Sequence, residues 1–158
     1  MKKDDIKNKT VESVAEDLKK HFPSAVESVE VITKDTVIYV RKEDIKKVLS
    51  HLKDNVGLNY LFSICGVDYP EREQRFDVVY HIRSLLKDIQ LTIKAKVEDG
   101  KAIASVYDLF KSAIWFERET YDMFGVEFKG HPGLKRIFMD DDFVGHPLRK
   151  EFPLYTEE

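Results

Sequence analysis

With 158 residues, 42% of them hydrophobic and 35% charged, the chain has the size of one domain that buries a hydrophobic core without disulfide staples. A net charge of -3, with the two signs interleaved, argues against a phosphate backbone as partner, so no nucleic acid is expected; one cysteine, Cys65, and no CxxC argue against a bridge, a zinc site or an iron–sulfur cluster held by this chain. The longest mostly apolar window, 60–67, is far short of the roughly 20 residues that cross a bilayer. The N-terminal stretch MKKDDIKNKT has no signal-peptide core. The expectation is a cytoplasmic chain without a membrane span of its own, reaching a membrane only through a partner.

In chain order, Thr10 is placed to cap a helix that runs to about Phe22 with Val11, Val14, Ala15, Leu18 and Phe22 on one stripe, closed by Pro23. Two β-branched runs, 26–33 and 36–41, flank Lys34 and Asp35 and read as a hairpin. A second helix over about 43–56 buries Ile45, Val48, Leu49 and Leu52 and stops at Gly57. The apolar run 60–67 reads as a buried central strand, with Cys65 inside it as a small hydrophobe. In 74–84, Phe76, Val78, Tyr80 and Ile82 alternate with Asp77, Val79, His81 and Arg83. In 88–98, Ile89, Leu91, Ile93, Ala95 and Val97 alternate with more polar neighbours. Both strands should therefore have one solvated or partner-facing side. No glycine-rich phosphate loop occurs, and His21, His51 and His81 read as scattered, separately satisfied side chains.

Ser105 and Asp108 fit a capping box that opens a helix running, with a break near Trp115, to Phe124, where Gly125 ends it. Arg118 and Asp122 are four apart and placed to pair along it; Glu117 and Glu119 complete a charged cluster set among Trp115, Phe116, Tyr121, Met123 and Phe124. After Val126 the periodicity ends. Glycines and prolines punctuate a long irregular arm whose Phe128, Leu134, Ile137, Phe138, Met139, Phe143, Val144, Leu148, Phe152 and Leu154 need burial, which suggests a strap laid over another protein. Two triplets, Gly130-His131-Pro132 and Gly145-His146-Pro147, read as rigid turns whose histidines bond backbone. The basic pairs that follow, Lys135 with Arg136 and Arg149 with Lys150, would dock on a partner's carboxylates. A second reading of the same residues is a two-histidine, one-carboxylate metal site of a stand-alone hydrolase, from His131, His146 and one of Asp140, Asp141 and Asp142.

The order of elements points to an α+β fold: a mostly antiparallel sheet with helices packed on one face, as a compact domain over 1–125, followed by an extended docking arm over 126–158.

Glu117-Arg118-Glu119, then Asp122-Met123-Phe124, His131 and Lys135-Arg136-Ile137, followed by GHPLRKEFPL from Gly145, resemble the pattern of the respiratory complex I 30-kilodalton subunit family, the C subunit of NADH:quinone oxidoreductase. The match covers about 115–154. The resemblance implies a peripheral-arm subunit that binds no cofactor, in a complex that as a whole carries FMN, iron–sulfur clusters and quinone. It implies the 49-kilodalton-type subunit and the cluster-carrying subunits as partners, and a peripheral place on the cytoplasmic face of the cell membrane. It also implies that the chain is not catalytic alone. The same module resembles subunits of membrane-bound hydrogenases and other donor-linked oxidoreductases. The residues expected to dock are Glu117, Arg118, Glu119, Asp122, His131, Lys135, Arg136, His146, Arg149 and Lys150.

Overall fold

The computed structural model describes residues 10–32, 35–86 and 89–153. Helix α1 (Val11–His21) starts where the Thr10 hydroxyl accepts the Ser13 N–H, and its Val14, Ala15 and Leu18 are buried. Strands β1 (Val26–Ile32) and β2 (Asp35–Val40) pair antiparallel. Their connecting turn, expected at Lys34-Asp35, lies partly outside the described residues. Helix α2 (Ile45–His51) widens into a π-helical turn over Leu52–Val56 and ends at Gly57, whose φ of 85° is the left-handed conformation that glycine adopts without penalty. Ile45, Val48, Leu49 and Leu52 are all fully buried, as the helical spacing predicts.

Strands β3 (Tyr60–Asp68), β4 (Phe76–Arg83) and β5 (Gln90–Val97) complete a five-stranded sheet in the order β1-β2-β5-β4-β3. Every pairing in it is antiparallel except β2 with β5. One register row crosses four strands: Ile38 opposes Ile93, Ile93 opposes Tyr80 and Tyr80 opposes Ile64. That row and its neighbours form a single core with residues of α1, α2 and the last helix, α3 (Ala113–Phe124), so the helices share one face of the sheet. Short strands β6 (Ala102–Ala104) and β7 (Glu127–Lys129) pair parallel on either side of α3 in sequence. Gly66 lets α3 close on β3, because a Cβ there would lie 2.6 Å from the Phe124 ring.

Four expectations change. Strand β3 is an edge, not a central strand, and Cys65 is exposed; a register irregularity between Leu61 and Ser63 lets Leu61 and Ile64, three apart, both be buried, while most other positions stay partly open. The second face of β4 and β5 is not simply solvated, because Asp77, Val79 and Thr92 are buried beneath long side chains. Arg72 bonds Asp77 at 2.9 Å and lies 3.5 Å from the Tyr69 ring, while Lys94 and Lys96 lie over Tyr39. His21 and His51 are adjacent, with ring centroids 4.9 Å apart. The last helix starts at Ala113 and not at Ser105, since the Ser105 hydroxyl and the Val106 N–H are both captured by the distant Glu117 carboxylate, leaving only turns over 106–112.

Candidate functional site

Helix α3 and the strap that follows it are built around two buried carboxylates. Glu117 is fully buried and accepts the Ser105 hydroxyl at 2.6 Å and the Val106 N–H at 2.7 Å. Burial pushes its carboxyl up to about 7, although both hydrogen bonds favour the charged form. It therefore holds the start of the 105–112 segment against the helix and exchanges its proton near neutral pH.

Asp122 is also fully buried and behaves in the opposite way. Its Oδ2 accepts three consecutive backbone N–H groups, Ile137 at 3.0 Å, Phe138 at 2.8 Å and Met139 at 3.0 Å, and its Oδ1 accepts Arg136 Nη1 at 2.7 Å. Burial raises the carboxyl, but these four donors outweigh it and hold the group at about 2. Arg136 extends the cluster by donating to the carbonyls of Phe143 and Gly145. Arg118 donates to the carbonyls of Lys135 and Arg136 from the adjoining turn of the helix. The pairing of Arg118 with Asp122 expected from their spacing does not form, because Asp122 is buried against Arg136 and three strap N–H groups while Arg118 bonds two strap carbonyls.

Both GHP triplets are turns whose histidines bond helix carbonyls, as their sequence suggests. His131 Nε2 donates to the Ile114 carbonyl at 3.0 Å, and His146 Nδ1 donates to the Asp122 carbonyl at 2.9 Å. Gly125 ends α3 with a φ of 78°, and a Cβ there would sit 2.6 Å from His146 and 2.8 Å from Arg149, so only glycine lets the strap return over the helix end.

The strap then crosses to the end of the sheet. Arg149 donates to the Phe124 carbonyl at 2.7 Å and holds Asp99 through two parallel bonds of 2.8 and 2.9 Å. Asp68 takes a bidentate bond from Arg75 and the Lys150 N–H at 2.8 Å, and Arg75 also reaches Asp99 and Glu151. The Arg75 hydrogen bonds hold the Asp68 carboxyl below its usual range against the burial that raises it. Arg75 and Arg149 both lie 5.1 Å from the Phe76 ring, which packs edge-on against Phe124.

Of the ten expected docking residues, Glu119, Lys135 and Lys150 are exposed. The other seven, Glu117, Arg118, Asp122, His131, Arg136, His146 and Arg149, bond within the chain. Arg136 and Arg149 dock on carboxylates, but on the chain's own Asp122 and Asp99. The strap is laid over its own helix and sheet, and the line drawn at residue 125 crosses continuous packing, since Val126 and Phe128 are buried in the core. Sequence spacing pointed to these residues but not to Asp68, Arg75 and Asp99, which meet the strap only through the sheet. His131 and His146 serve opposite ends of α3, so the hydrolase site drawn from them and Asp140, Asp141 or Asp142 does not assemble; among the described residues the one such grouping is Asp17 with His21 and His51. Among the exposed side chains of α3 and the strap are large apolar ones: Trp115 is 58% exposed, Phe138 62%, Val144 89% and Leu148 53%.

Residues 38–158 match the family profile described as respiratory-chain NADH dehydrogenase, 30 Kd subunit, which is more than half of the chain. The chain belongs to that family. Within the family, it is 45% identical over 122 residues to the NADH-quinone oxidoreductase C subunit of Methylobacterium sp. strain 4-46, an alignment covering 76% of this chain and 57% of that protein. A second relative, the NADH-quinone oxidoreductase C/D subunit of Bdellovibrio bacteriovorus, is 46% identical over 124 residues, 78% of this chain and 22% of that one. The chain thus spans little more than half the length of the first of these relatives. Among solved structures, the trypsin-resistant fragment (1-134) of Nqo5 superposes with a TM-score of 0.69 at 30% identity, covering 78% of this chain and 98% of the fragment. The α+β fold described here is the fold of the family.

Proposed function

We propose that this member of the family is a cofactor-free peripheral-arm subunit of an NADH:quinone oxidoreductase, seated against a 49-kilodalton-type subunit and the cluster-carrying subunits of the quinone-reducing module. The observation that carries this reading is the set of large apolar side chains, Trp115, Phe138, Val144 and Leu148, that α3 and an internally pinned strap hold out to solvent. A strap fixed by Asp122, Arg136 and Arg149 does not need a partner to order it, so its exposed residues form a prepared surface. Glu119, Lys135 and Lys150, exposed on the same helix and strap, supply charges for such a contact. The C/D relative supports the choice of neighbour, since a C-type and a D-type chain in one polypeptide are held at high effective concentration. Among the described residues no helix is long and apolar enough to cross a membrane, so the cytoplasmic-face, peripheral location in this proposal follows from the partners.

The test is purification of the tagged chain from native membranes with identification of what accompanies it, repeated with Val144→Asp and Leu148→Asp. The large neighbouring subunit should accompany the wild-type chain and be lost from the double variant, whose melting temperature stays within a few degrees of wild type. Unchanged recovery of that neighbour by the double variant overturns the assignment of this surface. Its absence from the wild-type preparation overturns the function. Hydrogenase-type subunits in place of NADH-linked ones would reassign the electron donor.

A further inference from the structure

Away from α3 and the strap, α1 and α2 bring together one carboxylate and two imidazoles. Asp17 and His21 are four apart on α1 and so share a face; His51, the last residue of α2, reaches the same place from the neighbouring helix. One donor atom from each of the three lies within 4.8 Å of the other two. His51 Nε2 is 2.7 Å from Asp17 Oδ2, and His21 Nδ1 is 3.5 Å from Asp17 Oδ1, so the two rings flank the two oxygens of one carboxylate.

We propose that Asp17, His21 and His51 form a binding site for one divalent transition-metal ion of the zinc type. Two imidazoles and a carboxylate are the donor set that zinc, nickel and cobalt ions accept; tetrahedral donors each roughly 2.0–2.2 Å from such an ion are about 3.4 Å apart, and side-chain rotation can close donors now within 4.8 Å of one another to that spacing. The same atoms also serve as hydrogen-bond partners, His51 Nε2 with Asp17 Oδ2 at 2.7 Å and His21 Nδ1 with the Asp17 carbonyl at 2.9 Å, and an ion would take the place of these bonds.

The surroundings suit a held ion. The Asp17 and His51 side chains are 19% and 12% exposed, whereas His21 is 49% exposed, leaving the outer side of the site to water ligands. His51 is oriented by Phe22, edge-on with ring centres 5.3 Å apart, and by the Asn55 amide 3.1 Å from its Nδ1. The Asn55 amide can turn to accept Nδ1–H, which frees the Nε2 lone pair for the metal. Two ligands lie on a segment before residue 38, where the family match begins, and one lies after it. The ion would join α1 to the part of the chain that carries the family pattern. The proposal rests on this chain alone and is independent of the assembly reading.

The full chain, stripped of metal with a chelator, is titrated with Co2+ followed by absorbance, then with Zn2+ in competition. One equivalent of Co2+ should produce ligand-field bands that Zn2+ abolishes, and Zn2+ should raise the melting temperature in a saturable way. Because His21 is half exposed, His21→Ala keeps the fold and should weaken binding at least tenfold, as should Asp17→Asn; His81→Gln, on the sheet, should leave it unchanged. Absence of a saturable one-equivalent spectrum overturns the proposal. So does equal affinity in His21→Ala, which by itself decides the matter if Asp17→Asn fails to fold.

Discussion

Replacing Asp122 with Asn removes one charge and alters nothing else in size. The carboxyl's folded value of about 2 against its ordinary 3.8 means that the folded state favours the ionised form by about 2 kcal/mol. Because the folded value is the depressed one, that contribution is complete above pH 3.8 and is lost as pH falls through about 2. Asparagine keeps an oxygen for the Ile137, Phe138 and Met139 N–H groups but turns an amide N–H towards Arg136. Donor then faces donor at a buried position, which costs about 1 to 2 kcal/mol more. Urea denaturation at pH 7 should therefore show a loss of about 3 to 4 kcal/mol. Hydrogen exchange should show the three amides losing protection together. The gap between variant and wild type should narrow as pH drops from 4 towards 3. A loss at pH 7 no larger than the roughly 0.5 kcal/mol of an ordinary surface substitution, or a gap that does not change with pH, would refute the assignment of Asp122 as the anchor of the strap.

The opposite pH signature belongs to Glu117. With its folded value raised to about 7 above an unfolded 4.5, wild-type stability should fall by about 3 kcal/mol as pH rises from 4.5 to 7, and Glu117→Gln should flatten that slope in thermal melts taken across the range. Gly66→Ala should cost about 1 to 3 kcal/mol in denaturant unfolding, because the new methyl enters the Phe124 ring where α3 closes on β3. Trypsin should leave the bonds after Arg136 and Arg149 uncut in the isolated wild-type chain, while Asp99→Ala, read by mass spectrometry of the digest, should expose the bond after Arg149.

The sheet and its helices were legible because burial leaves a period. Ile45, Val48, Leu49 and Leu52 and the alternation through β4 and β5 state their own geometry. The edge position of β3 was hidden, since a strand paired on one side and packed against a helix carries nearly as many apolar letters as a central one. The late start of α3 was hidden for another reason: a capping box at Ser105 is a local signal, and the group that decides the outcome, Glu117, lies twelve residues away. For the strap, the residue types were informative and the destination was not. Arginine and histidine among glycines and prolines announce rigid hydrogen-bonded turns. Whether their acceptors belong to the same chain depends on where Asp68 and Asp99 stand at the end of a sheet.

The crossing of the strap to the sheet end also sets a clock. Arg149 meets Asp99 across 50 residues and the Lys150 N–H meets Asp68 across 82. Synthesis delivers the chain from its N-terminus, so both carboxylates emerge long before their last partners. Arg75 can hold Asp68 in the interval, but the hydrogen bonds of Arg149 to Asp99 and Phe124 wait for residue 149. During synthesis this closure cannot precede residue 149, and bonds absent from the folding transition state slow unfolding without hastening folding. A polypeptide released before that residue lacks this closure however well its sheet has formed, so the stability of the product reports whether translation ran far enough.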